Sequence, residues 1–163
     1  MGCDIHAYID YDSPKDEGEI DLVNYFGEVN IFRHYALFSL MAGIRGTHKL
    51  YQPKGLPERL SWTTRDKAAL YITDNPQIKD VLSCTREDAE RWGSRYTDES
   101  KTRIWNPDFH THSWLDLGEL DLLLKEYNKI GGRCNALEAT YSAMITLKNL
   151  GCNPRLKIGR AHV

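Results

Sequence analysis

The sequence predicts one α+β domain: an N-terminal antiparallel sheet, helices packed on one of its faces, and an αα-hairpin in the C-terminal third. Three observations carry this. Residues 3–10, CDIHAYID, alternate, with Cys3, Ile5, Ala7 and Ile9 on one side and Asp4, His6, Tyr8 and Asp10 on the other, which is the period of a half-buried strand. From residue 33 the spacing becomes helical, with Leu37, Phe38 and Met41 on one stripe. Two apolar stripes behind acidic or amide starts then fill residues 116–151.

The elements follow in chain order. SPKDEG at 13–18 is a turn, and residues 19–32 form one or two returning strands broken near Gly27. RHYALFSLMAG, 33–43, is a helix with Gly43 where a C-cap favours glycine. Residues 44–61 hold Gly46, Pro53, Gly55 and Pro57 and are expected to be a long ordered loop, a kind of segment that is usually functional. Short helices are expected at 64–71, 77–82 and 85–92, with the TDNP of 73–76 as a turn. Residues 93–107 are loop with a short strand at 102–105, and 108–114 is a loop leading to a helix. Asp116 with Glu119 starts that helix, which Gly131 ends; Asn135 with Glu138 starts the last one, which ends at Gly151.

Length and composition bound the function. A chain of 163 residues suits one domain with a real core, and 41% hydrophobic with 27% charged residues is ordinary globular usage. A net charge of -2 supplies no global field toward nucleic acid or anionic lipid. Four scattered cysteines without a CxxC pair argue against a zinc ribbon or redox motif and suit a reducing compartment. No signal-peptide pattern and no apolar run of spanning length is present, and acylation of Gly2 would call for Ser or Thr where His6 stands. The expectation is a cytoplasmic protein without membrane contact. The final IGRAHV matches one reading frame of a common sequencing adapter, so residues 158–163 are set apart from a 1–157 domain and His162 is given no functional weight.

Two polar stretches could do chemistry. MGCDIH offers Asp4 and His6, and DFHTHSW offers Asp108, His110, His112, Ser113 and Trp114 just before a capped helix. Two histidines two apart on an extended segment could chelate a metal, but no further Asp/His cluster completes a shell, and no metal or other cofactor is expected. DFHTHS looks like the opening of the polymerase-and-histidinol-phosphatase hydrolases, whose later ligands are missing here. Arg33 and Tyr35 could grip phosphate and sugar, or could pair with a nearby acid such as Glu28 and pack in the core. Arg45 carries the same ambiguity. Trp62, Trp92 and Trp105 are read as core or rim, and Trp114 as the best stacking candidate.

MGCDIH, RHYALFSLMAGIRG, KGLPE at 54–58 and DFHTHSWLDLGEL together resemble a widespread family of small phage and prophage proteins. Its members open MGCDIH, continue R-x-Y-x-LF-x-x-LAG-x-R and RGLPE, and close D-x-H-S-x-SWL-x-x-EL. The match is in order over about residues 1–120. Lys54 replaces an arginine of that pattern, and His112 a small residue, which leaves His110 the better histidine of the two.

The resemblance implies a shared polar set: Asp4, His6, Arg33, Tyr35, Arg45, His110, Ser113 and Trp114. Some small phage proteins of this kind counter nucleotide-based host immunity, and by analogy the chain is expected to act in the host cytoplasm on a small nucleotide signal. His6, His110 and Tyr35 would be catalytic in a metal-independent phosphodiesterase, with Asp4, Arg33, Arg45, Ser113 and Trp114 binding. The alternative is a sponge that sequesters a cyclic oligonucleotide or cyclic ADP-ribose type signal. A third reading is an accessory protein that binds a host protein. No long nucleic acid is expected as a partner, and a homo-oligomer is expected, with the 44–61 loop helping to build a pocket between subunits.

Overall fold

The computed structural model describes residues 3–14, 20–23, 27–31, 34–43, 47–75, 77, 83–107 and 109–162. Strand β1 (Cys3–Pro14) carries the expected alternation further than its sequence pattern required. Ile5, Ala7, Ile9 and Tyr11 are all buried in the main core. β2 (Ile20–Val23) and β3 (Glu28–Asn30) return antiparallel along one edge of β1, with Val23 opposite Tyr11 and Val29 opposite Ala7. Gly27, at φ 71, supplies the left-handed step immediately before β3. Helix α1 (Tyr35–Ala42) stops at Gly43, whose positive φ lets its N–H turn back to the Ser39 carbonyl. Residues 47–61 contain neither helix nor strand.

The middle of the chain departs from its helical reading. α2 (Trp62–Lys67) is short, and Ala69–Thr73 is strand β4, not the end of a helix. Leu-Tyr-Ile-Thr suits a pleated surface as well as a helix, and two partners decide the matter. β5 (Ser83–Thr85) pairs with β4 in parallel and β6 (Arg103–Trp105) pairs with it antiparallel, giving a three-stranded sheet. α3 (Arg86–Trp92) covers one side of it, capped reciprocally by Thr85 and Asp88. Leu70, Cys84, Ala89 and Ile104 form this lobe's own small core. The helix expected at 77–82 falls mostly outside the described residues.

The DFHTHSW stretch is also not a loop: β7 (Phe109–Asp116) is a strand. It feeds α4 (Leu117–Lys129) through the Asp116–Glu119 capping box. α5 (Asn135–Asn149) completes the hairpin, with Cys134 rather than Asn135 at the N-cap and no side-chain cap. The chain then adds β8 (Arg155–His162), which runs antiparallel between β1 and β7 and sets the strand order β2-β1-β8-β7, with β3 also on β1. The segment set apart by its adapter match thus lies in a central strand, and Ile158 belongs to the core. The fold is α+β. α1, α4 and α5 pack on the Ile5–Ile9 face of the larger sheet, and no helix among the described residues is long and apolar enough to cross a membrane.

Candidate functional site

The pleat sends His6, Tyr8 and Asp10 to the face opposite the helices. β8 adds Lys157 beside Tyr8 and Gly159 beside His6, and β7 adds Trp114 beside Lys157. A bulge decides which histidine joins them. Between His110 opposite Arg160 and Ser113 opposite Ile158, β7 spends three residues against two on β8. His110 therefore falls in the backbone row of Arg160 and Ile5, and His112 comes to lie over Gly159, where an added Cβ would meet its Nδ1 at 3.2 Å. Two interstrand spacings, roughly 10 Å, separate the backbones of His6 and His112.

His6 is half-buried and its Nδ1 faces the Glu28 carboxylate of β3. That acid comes from the adjacent strand through the pairing of His6 with Asn30 and of Tyr8 with Glu28. Tyr8 is 3% exposed, and burial first, then the Glu28 charge, pushes its phenol above the ordinary tyrosine range. Below it Asp10 is wholly buried. Its carboxylate accepts the Ser61 N–H at 2.9 Å, the Ser61 hydroxyl at 2.8 Å and the Thr64 hydroxyl at 2.5 Å. This ties the 47–61 loop to β1. A second anchor is Lys54: its N–H donates to Ser113 Oγ at 3.0 Å, its ammonium pairs with Glu119 and it lies 3.8 Å from the Trp114 ring centroid. Tyr51 fastens the same loop to the helices, its N–H donating to the Leu40 carbonyl and its hydroxyl to the Glu119 carbonyl, both at 3.0 Å, so the loop is a strap from the helix side to Asp10 on the polar face.

Lys157 lies on the polar face between Tyr8 of β1 and Trp114 of β7. It is fully buried, its Nζ makes no hydrogen bond among the described residues, and the Tyr8 ring centroid is 5.9 Å away. Burial pulls its ammonium down to about 8, against the opposing pull of Asp10. Among the described residues Tyr8 and Asp10 face it from β1, and its Nζ and the His112 Nδ1 both lie by Gly159. An unfolded lysine keeps its proton up to about pH 10.4, so between about 8 and 10 the unfolded chain binds more protons and stability rises with pH. Replacing Lys157 by methionine is expected to stabilise the protein near neutral pH by roughly 1–3 kcal/mol and to flatten that rise. Urea unfolding at neutral and alkaline pH checks it; equal destabilisation at both would contradict it.

The predicted residues divide as follows. His6 and Trp114 share the polar face. Ser113, fully buried, points into the Ile158 row and serves the strap. Tyr35 is 48% exposed at the start of α1, on the helix side of the sheet, so the structure does not join it to His6. Asp4 and His110 are placed by backbone register only, and Arg33, Arg45 and Asp108 lie outside the described residues. Trp105 tilts against His112, ring centroids 6.2 Å apart, which links the small sheet to the site. The sequence offers Glu28 only as a possible partner of Arg33 and gives Asp10 and Lys157 no site role, since their partners stand tens of residues away. Among the described residues no group of three or more His, Cys, Asp or Glu side chains converges. A cavity of about 280 Å³ lies elsewhere, at the start of α4 between Asp116, Lys148 and Pro154.

No family model, curated protein or solved structure matches the chain.

Proposed function

We propose that the chain cleaves a small cyclic nucleotide as a metal-independent phosphodiesterase on this polar face. The observation that carries the reading is the Glu28 carboxylate on Nδ1 of His6. A carboxylate there fixes the tautomer and angle of an imidazole, the arrangement by which hydrolases orient a general base. His6 would take the proton of a water attacking phosphorus, and an imidazole of β7 would protonate the departing ribose oxygen. His112 is the better placed for this, because it shares the His6 side of the sheet through the Gly159 row. Arg33 would hold phosphate charge, as the phage-protein resemblance implies, and the same resemblance suggests a host immune signal as substrate.

The test incubates the protein with cyclic mononucleotides, cyclic dinucleotides and cyclic ADP-ribose, then heat-denatures half of each mixture before chromatography. A linear product that forms in EDTA supports the reading. Return of intact nucleotide only after denaturation would overturn it in favour of sequestration.

A further inference from the structure

The face of the small sheet not covered by α3 carries an unusual set of side chains. Tyr71 of β4 stands directly opposite Arg103 of β6, and Ser83 of β5 flanks Tyr71 on the other side. Arg103 is 3% exposed, although it is charged. Its guanidinium lies 4.1 Å from the centroid of Trp62 and 5.7 Å from that of Tyr71. The two rings remain largely in water, Trp62 at 63% and Tyr71 at 45% exposure. Trp62 is thus held from beneath by a cation while its outer surface is open.

The charges around the rings favour an anionic occupant. Asp98 is the acid that meets Arg103, at 3.6 Å. The Ser100 hydroxyl first, then the Arg103 and Arg65 guanidiniums, hold its carboxyl below the usual range, so two cations converge on this one acid. The strip does not end there. Trp105 lies two residues beyond Arg103 on the same face and touches the His112 ring. One two-residue step along β6 plus that ring contact links Trp62's anchor to His112 within roughly 13 Å. That span lies within the reach of two linked nucleotides.

We propose that Trp62 and Tyr71, set over the buried Arg103, bind the second base of a cyclic dinucleotide whose phosphodiester lies at His6 and His112. This rests on the phosphodiesterase reading for its ligand class, and it names the substrate as one with two bases. Every base has a π-face, so stacking supplies affinity without a pocket.

Binding is measured in the His6→Ala background, where cleavage cannot confuse it, with cyclic di-AMP and cyclic AMP as probes. Trp62→Ala is expected to weaken cyclic di-AMP binding by about tenfold to a hundredfold and to leave cyclic AMP unchanged. Trp62→Phe should keep most of the affinity, which a fold defect would not allow. Equal cyclic di-AMP binding with and without Trp62, or no binding of it at all, overturns the platform. His6-dependent cleavage of cyclic AMP alone would leave the phosphodiesterase standing and this proposal refuted. Trp62-dependent binding without cleavage by the wild type would do the reverse.

Discussion

Replacing His6 by alanine is expected to lower kcat for nucleotide cleavage by roughly a thousandfold while leaving the fold intact. General-base catalysis by a positioned side chain contributes about 10²–10⁴, and His6 is partly solvated on the face away from the helices, so its loss opens no hole in the main core. Glu28→Gln separates positioning from base chemistry. It keeps a hydrogen-bonding group against Nδ1 but removes the carboxylate that orients the ring. A fall of about ten- to a hundredfold in kcat is expected, with KM little changed, because the acid touches the imidazole and not the substrate. Thermal unfolding should shift little in either variant. A His6→Ala protein that cleaves at the wild-type rate would remove the base from this site.

Asp10→Ala is expected to have the largest effect on stability, a loss of about 3–5 kcal/mol. Three donors converge on this carboxylate, one from the backbone of Ser61 and two from hydroxyls, all of them buried. Truncation leaves the Ser61 N–H without its acceptor, leaves the two hydroxyls only each other, and takes away the negative charge facing Arg155 and Lys157. Against a total of about 5–15 kcal/mol for a domain of this kind, such a loss is severe. Asp10→Asn retains acceptor capacity but not charge and should fall between the two. Urea titration checks this: the midpoint should drop while the slope holds. Because Ser61 and Thr64 close one end of the strap, proteolysis within residues 55–60 should accelerate in parallel. A cost below about 1 kcal/mol would show that the strap is held mainly by its Tyr51 and Lys54 contacts.

Much of the fold was legible in the chain because its signals are local. The alternation of residues 3–10 needed only the period of a strand. Gly43 marked the end of α1 by its tolerance of positive φ, and Asp116 with Glu119 marked the start of α4 by reciprocal capping over three residues. The αα-hairpin followed from two apolar stripes and their ends. These features repeat within one or two turns of backbone, so a short window contains all of the physics that sets them.

What the tertiary structure decided was which strands pair and which way their side chains point. Ala69–Thr73 became a strand because β5 and β6 lie beside it, and Phe109–Asp116 because β8 does. Neither partner can be read from the segment itself, since the ladder bonds join residues far apart in the chain. The same holds for the site. His6 could be placed on the polar face from the sequence, but its acid is Glu28, twenty-two residues away. The phage-family pattern favours His110 over His112, but one extra residue in β7 sets His112 above Gly159, on the His6 side of the sheet. Side chains on a strand have period two, so a single bulge exchanges the faces. Where a bulge falls depends on the partner strand, and that is why only the folded sheet could bring His112 to the polar face.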